Sequence, residues 1–180
     1  AMARFLRRAG DLDASIVDYA SLHAWSVGHA DEFWRLWLEE SGMVHEGRPL
    51  PTEHENPSTL GGNFFPNLKL NFAENLLRHR GDRPAVHGLS EGGGAGEGGD
   101  DRTLTHDQLF DQVRRVQKSL IDLGVGPGDR VAGILPNIPE AVVAMLATTS
   151  LGAIWSSCSP DFGTQGMLKR FAQIQPRVLI

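Results

Sequence analysis

The sequence has a single cysteine, no long apolar run and no excess of positive charge. Cys158 is the only cysteine among 180 residues, so no disulfide can form within the chain. No stretch approaches the ~20 apolar residues that a membrane-spanning helix requires, so no membrane partner is expected. The formal charge of -5 leaves no basic stripe to neutralise phosphates, so nucleic-acid binding is not expected either. Together these absences predict a cytoplasmic protein.

Patterns that hold metals and dinucleotides are also missing. The seven histidines are scattered, with no pair three or four residues apart on a helix, so no metal site is predicted within this chain. The glycines of 124–129 follow a predicted helix and precede a predicted strand. A dinucleotide fingerprint has the reverse order, because the helix N-terminus receives the pyrophosphate. This order argues against an NAD(P)-binding protein.

The first half of the chain predicts short helices separated by extended backbone. Residues 31–41 predict a helix that ends at Gly42. Four residues form its predicted apolar face: Phe33, Trp34, Trp37 and Leu38. We expect this helix to dock through its tryptophans and assign Trp25 to the same packing, because most tryptophans are core or interface anchors. A second, short helix is predicted to reach Leu77 with Asn71 as its cap.

Two segments rich in breakers interrupt this half. The thirty residues after Gly42 hold four prolines and the pair Gly61–Gly62, which predicts an extended segment lying over a neighbouring surface. Residues 88–100 are mostly glycine and predict a flexible, hairpin-like loop, because glycine raises the entropy cost of ordering. No Lys or Ser/Thr follows at phosphate-loop spacing, so a linker is favoured over a phosphate cradle.

From Arg102 onward, helices and strands alternate. Thr105 and Gln108 form a predicted capping box at the start of a helix that ends at Gly124. Its predicted apolar stripe is Leu109, Val113, Val116, Leu120 and Leu123. The elements that follow are a turn over 126–129, a strand over 130–135, a buried helix over 141–151 with Pro139 in its first turn, a strand over 153–157, a helix over 163–174 and a strand from 177. Such alternation predicts an α/β fold whose parallel sheet has right-handed crossovers.

Two residues near the end of the second of these strands could carry chemistry. Cys158 has hydroxyl neighbours and no adjacent base, so a buried small side chain is favoured over a nucleophile. Asp161 has no second carboxylate or histidine at a useful spacing nearby. A loop or capping role is therefore favoured over a general base or metal ligand.

Four stretches, taken in their order and spacing, resemble the acyl-adenylate-forming synthetases. They are 34–41, 71–77, 103–109 together with 128–131, and 151–171. The likeness is greatest to members that activate acetoacetate, because residues 155–163 read Trp-Ser-Ser-Cys-Ser-Pro-Asp-Phe-Gly where acetate-activating members tend to a Phe-Gly-Gly stretch. The glycine-rich loop over 88–100 is the obvious departure from the family pattern.

The resemblance implies a domain organisation. The expected fold is the incomplete N-terminal part of an adenylate-forming large domain, with parallel βαβ units preceded by a helical and extended segment. Residues 1–80 are predicted to form the N-terminal extension, and 81–180 the first part of the AMP-binding domain. Residues 177–180 are apolar and β-prone with no turn after them, which predicts a strand within a larger domain.

The resemblance also implies an activity, cofactors and a partner. The expected reaction is ATP-dependent ligation of a small carboxylic acid, acetoacetate, to coenzyme A, with Mg²⁺ accompanying ATP. Acetate or propionate is the alternative acid, and a non-catalytic docking module is the alternative class of protein. Catalytic residues are expected beyond 180, in the remainder of the synthetase domain, so the isolated chain is expected to be inactive. Ser159, Pro160 and Asp161 are predicted to line the coenzyme A entrance.

Overall fold

The structure, a computed structural model, describes residues 2–48, 65–89 and 101–180. Two compact units make up the chain, Ala1–Leu70 (unit 1) and Asn71–Ile180 (unit 2). Most of the predicted extended segment, with Pro49, Pro51, Pro57 and the Gly61–Gly62 pair, lies outside the described residues. So do His54 and residues 90–100 of the predicted glycine-rich loop.

The described residues of unit 1 form three helices, α1 (Met2–Leu12), α2 (Tyr19–Gly28) and α3 (Ala30–Ser41). Asp18 caps α2 in a reciprocal box with Ser21, which satisfies backbone donors at the start of that helix. The buried core of the unit consists of Ala9, Ile16, Leu22, Trp25 and Leu36. Helix α3 and its end at Gly42 agree with the helix predicted over 31–41, and the φ of 59° at Gly42 lies in the left-handed region that glycine tolerates.

The predicted packing of three tryptophans is confirmed for Trp25, in α2, and only in part for the two in α3. Trp25 is buried in the core, but Trp34 and Trp37 each remain 38% exposed. The face of α3 that meets the preceding helices carries Leu36 and Glu40, and Arg4 and Arg8 of α1 hold the Glu40 carboxylate at 2.8 and 3.1 Å. This polar anchor fixes the helix rotation and leaves both tryptophans at the rim.

From residue 106 onward, unit 2 alternates helices and strands as predicted. Its elements are α4 (Phe72–Leu77), β1 (Pro84–Gly88), β2 (Arg102–Thr105), α5 (His106–Asp122), β3 (Arg130–Ile134), α6 (Pro139–Ser150), β4 (Ile154–Cys158), α7 (Thr164–Ile174) and β5 (Val178–Leu179). Strands β1 and β2 pair antiparallel, as in a hairpin, on either side of the glycine-rich segment. The other three form a parallel sheet in the order β4-β3-β5.

Local signals set the ends of these elements. Asn71 Oδ1 accepts from the Glu74 amide at 3.0 Å and caps α4. The Thr105–Gln108 capping box is present, with both reciprocal hydrogen bonds made. Pro139 occupies the first turn of α6, where its missing N–H costs nothing. Each of these predictions is confirmed.

One face of the parallel sheet is covered by α5 and α6. The buried cluster there includes Val113 and Leu120 of α5, Val131 of β3, and Val143 and Leu146 of α6. Leu123, predicted to extend the stripe of α5, is exposed because the helix has already ended at Asp122. No residue of α7 is fully buried, so the predicted apolar spacing of that helix does not place it in this core.

Candidate functional site

The strand order of the parallel sheet predicts a crevice at its carboxyl edge. Strand β3 leads through α6 to β4, and β4 leads through α7 back past β3 to β5. Because parallel crossovers are right-handed, two connections that run in opposite directions pass over opposite faces of a sheet. The outgoing loops of β3 and β4 therefore diverge between these strands. Ligands of open α/β sheets bind outside the carboxyl ends of strands at such a switch point.

The loop after β4 carries the three predicted site residues. Ser159 is half-buried, whereas Pro160 and Asp161 are exposed. Ser159 Oγ donates a hydrogen bond to Asp161 Oδ2 at 2.8 Å, and the Phe162 amide donates to the Ser159 carbonyl at 3.2 Å. The loop is thus a short turn that presents one carboxylate to solvent. Asp161 has the loop role favoured by the sequence.

The loop after β3, Leu135 to Ile138, borders the same crevice. The Leu135 amide donates to the Cys158 carbonyl at 3.3 Å, so the two loops leave the sheet side by side. The predicted strand over 130–135 and helix over 141–151 left this loop without an assigned role. A signal was present, because a proline directly after a buried strand places a loop at the strand's carboxyl end. Cys158 itself is 8% exposed, as predicted for a buried small side chain.

Two helices begin at this edge, and neither has a side-chain cap. The N-cap of α6 is Ile138 and that of α7 is Gly163, and neither makes a side-chain hydrogen bond. Unpaired amides and the helix dipole favour negative or hydrogen-bond-accepting groups at such positions. The first turn of α7 carries no acidic residue, whereas that of α6 carries Glu140. The N-terminus of α7 is therefore the more favourable of the two for a negative or hydrogen-bond-accepting group.

Glu140 is held by an arginine from the hairpin. Arg102 Nη1 and Nη2 donate to Glu140 Oε1 and Oε2 at 2.6 and 3.0 Å, a two-point contact. This hydrogen bonding outweighs partial desolvation and holds the pKa of Glu140 below its ordinary value. The stabilisation from this pair is present at neutral pH and is lost only as the pH falls through that lowered pKa.

A groove in unit 1 and a pocket in unit 2 are further concave surfaces of the chain. A groove of about 460 Å³ in unit 1 is lined mostly by apolar and aromatic side chains, among them Phe5, Leu22 and Trp37. In unit 2 a smaller pocket of about 270 Å³ lies beside Leu135 and Glu140. Across residues 2–48, 65–89 and 101–180, no three or more His, Cys, Asp or Glu side chains cluster closely enough to hold a metal ion. The described helices include none with the length and apolarity needed to cross a membrane.

Open parallel α/β sheets of this kind are a common scaffold for enzymes that bind nucleotides or other ligands at the carboxyl edge. A family model described as AMP-binding enzyme matches residues 72–180, more than half of the chain. The chain therefore belongs to the AMP-binding enzyme family.

Particular relatives are similar over nearly all of the chain. The acetoacetyl-coenzyme A synthetase of Rhizobium meliloti (strain 1021) is 43% identical over 99% of this chain, which spans 27% of that protein. A malonamoyl-CoA synthetase of Penicillium aethiopicum is 37% identical over 92% of this chain and 23% of its own length. The solved acetoacetyl-CoA synthetase of Streptomyces lividans matches 98% of this chain and 27% of its own, with TM-score 0.83 and 38% identity. The chain spans about a quarter of the length of these relatives.

Proposed function

We propose that this chain forms the N-terminal part of an ATP-dependent acetoacetate–CoA ligase. The observation that carries the proposal is the similarity of both units, over 98% of the chain, to an acetoacetyl-CoA synthetase structure. In such a reaction the acid's carboxylate attacks the α-phosphate of ATP, giving acyl-adenylate and pyrophosphate. The thiol of coenzyme A then displaces AMP. The product, acetoacetyl-CoA, would return a ketone body to lipid metabolism, and we place the reaction in the cytoplasm.

Among the described residues no three or more His, Cys, Asp or Glu side chains group together to hold a metal ion, so no step through Mg²⁺ is assigned to them. Their contribution is positioning, which can supply a large share of the rate enhancement in acyl and phosphoryl transfer. We assign residues 1–80 to an N-terminal extension and 81–180 to the first part of the AMP-binding domain.

The acid is a short carboxylate with a carbonyl at C3. The relatives' names specify acetoacetyl and malonamoyl groups, and both groups carry a carbonyl at that position. A methyl group in one occupies the place of an amino group of similar size in the other. Acetoacetate is therefore favoured over acetate or propionate, which lack the carbonyl. A non-catalytic docking module is the remaining alternative, because unit 1 exposes Trp34 and Trp37.

A pyrophosphate-release assay tests the proposal. The full-length protein containing this chain, given ATP, Mg²⁺ and coenzyme A, is expected to release pyrophosphate faster with acetoacetate than with acetate, propionate or 3-hydroxybutyrate. The isolated 180-residue chain is expected to release none. Equal rates with all four acids would contradict the assignment of acetoacetate. Acid-dependent release by the isolated chain would contradict the assignment of the catalytic residues to positions beyond 180.

We further propose that Ser159, Pro160 and Asp161 line the coenzyme A entrance. Their loop lies at the switch point of the sheet, beside the uncapped start of α7. The exposed Asp161 carboxylate would repel phosphate groups, whereas it can accept hydrogen bonds from amide N–H groups. The pantetheine arm, which carries two amides and no charge, fits this loop better than the nucleotide end.

Replacing Asp161 by alanine is expected to raise the KM for coenzyme A in the full-length protein several-fold. The substitution removes an accepting carboxylate and the Ser159 hydrogen bond that shapes the loop; a typical hydrogen bond contributes a net ~0.5–1.5 kcal/mol. Steady-state kinetics with varied coenzyme A measures this. Asp111→Ala, at an exposed position of α5, is the matched control. An unchanged KM for coenzyme A in Asp161→Ala would show that Asp161 does not line the coenzyme A entrance.

A further inference from the structure

The end of the β1–β2 hairpin lies on the first turn of α6. Gly88 and Arg102 are partners in the hairpin register. A Cβ added to Gly88 would lie 2.8 Å from Pro139 Cγ, so the β1 backbone contacts that ring directly. Arg102 donates two hydrogen bonds to the carboxylate of Glu140, the residue after Pro139. We call these four residues the hairpin clamp.

The clamp lies at the distal end of the loop that follows β3. At its near end, the loop is tied to the sheet through the Leu135 amide and the Cys158 carbonyl. At its far end, α6 begins at Pro139, and Ile138 as N-cap makes no side-chain hydrogen bond. Because no side-chain cap holds this helix start, contacts from outside the helix can help to place it, and the hairpin clamp supplies two of them.

The ion pair in the clamp contributes more to orientation than to stability. The Arg102 and Glu140 side chains are 44% and 47% exposed, and exposed pairs contribute little to the free energy of unfolding. A planar guanidinium that meets a carboxylate at two points nevertheless fixes the relative direction of the two groups. The Gly88 contact adds a second restraint that does not depend on charge.

We propose that the hairpin clamp positions the Leu135–Ile138 loop against the Ser159–Asp161 loop for the coenzyme A-dependent step. Gly88, Arg102 and Glu140 are positioning residues in this scheme, because they act through the loop and do not contact substrate. The inference rests on the proposed function, since it assumes that the crevice admits coenzyme A. The inference predicts that weakening the clamp impairs the coenzyme A-dependent half-reaction and leaves adenylate formation unchanged.

Kinetics on the full-length protein separate the two half-reactions. Acetoacetate-dependent exchange between pyrophosphate and ATP, without coenzyme A, reports adenylate formation alone. Thioester formation with varied coenzyme A reports the second step. For Arg102→Ala and Gly88→Ala we expect the KM for coenzyme A to rise about tenfold, since small misplacements of positioning groups can cost up to about a hundredfold. Exchange is expected to be unchanged.

Two controls distinguish positioning from general loss of structure. Lys118→Ala breaks another exposed ion pair in unit 2, with Asp122, and is expected to leave both steps unchanged. The double variant Arg102→Glu, Glu140→Arg restores opposite charges and is expected to recover much of the affinity for coenzyme A. Any of three results would contradict the proposed role of the clamp. The first is an unchanged KM for coenzyme A in both single variants, and the second is an equal loss in pyrophosphate exchange. The third is no recovery of coenzyme A affinity in the double variant. Lack of acid-dependent exchange in the unaltered protein would overturn the proposed function itself, and the clamp's role with it.

Discussion

Replacing Leu146 by alanine is expected to lower the free energy of unfolding by about 3 to 4 kcal/mol. Leu146 lies in α6 and is 1% exposed, within the cluster that joins α5, α6 and the parallel sheet. The substitution removes three buried carbon atoms and leaves a cavity that helices fixed on both sides cannot fill. Urea unfolding of the purified protein, followed by far-UV circular dichroism, measures the change.

Thr148 provides a matched control on the same helix. It is fully buried, and its hydroxyl donates to the Ala144 carbonyl at 2.8 Å. Valine keeps the volume and removes the hydroxyl, while the Ala144 carbonyl retains its helical hydrogen bond. Thr148→Val is therefore expected to change stability by less than about 1 kcal/mol. A similar loss in both variants would show that α6 responds to any substitution and that Leu146 is not specially placed.

The sequence was most informative where short-range signals agree with the tertiary packing. In unit 2, the Thr105 capping box, Pro139 and the glycine at 124 each act within a few residues, and each sets an element end as predicted. Helices α1 and α2 were not predicted. A signal was present in α1, where Phe5, Leu6 and Ala9 stand at helical spacing on one face. In α2 the apolar residues form no one-sided stripe, and its cap is the short Asp18–Ser21 box, which lacks the usual Glu or Gln.

Contacts between distant residues explain the remaining differences. The exposure of Trp34 and Trp37 follows from Glu40 being held by Arg4 and Arg8, more than thirty residues earlier in the chain. The Arg102–Glu140 contact joins residues 38 apart. The spacing of apolar residues along the sequence does not reveal such contacts between distant side chains. The Ser159–Asp161 loop, in contrast, was predicted from family resemblance, and its place at the sheet edge follows from strand order alone.

Gly133 in β3 is expected to tolerate no larger residue. A Cβ at this position would lie 2.6 Å from Cη2 and 2.9 Å from Cζ2 of Trp155, which crosses the glycine from β4. The indole is a rigid ring packed against the core, so it cannot yield as the end of a flexible side chain would. Gly133→Val is expected to lower the free energy of unfolding by about 3 kcal/mol, at the upper end of the usual overpacking range.

A double variant tests whether the indole is the cause. Trp155→Ala alone is also expected to destabilise, because it empties the space above Gly133. In Gly133→Val, Trp155→Ala the valine enters that space, so the combined loss is expected to be smaller than the sum of the two single losses. Gly126→Val, at a glycine with no atom near its Cβ position, is the control. Strictly additive losses in the double variant would mean that the indole is not what excludes a side chain at Gly133.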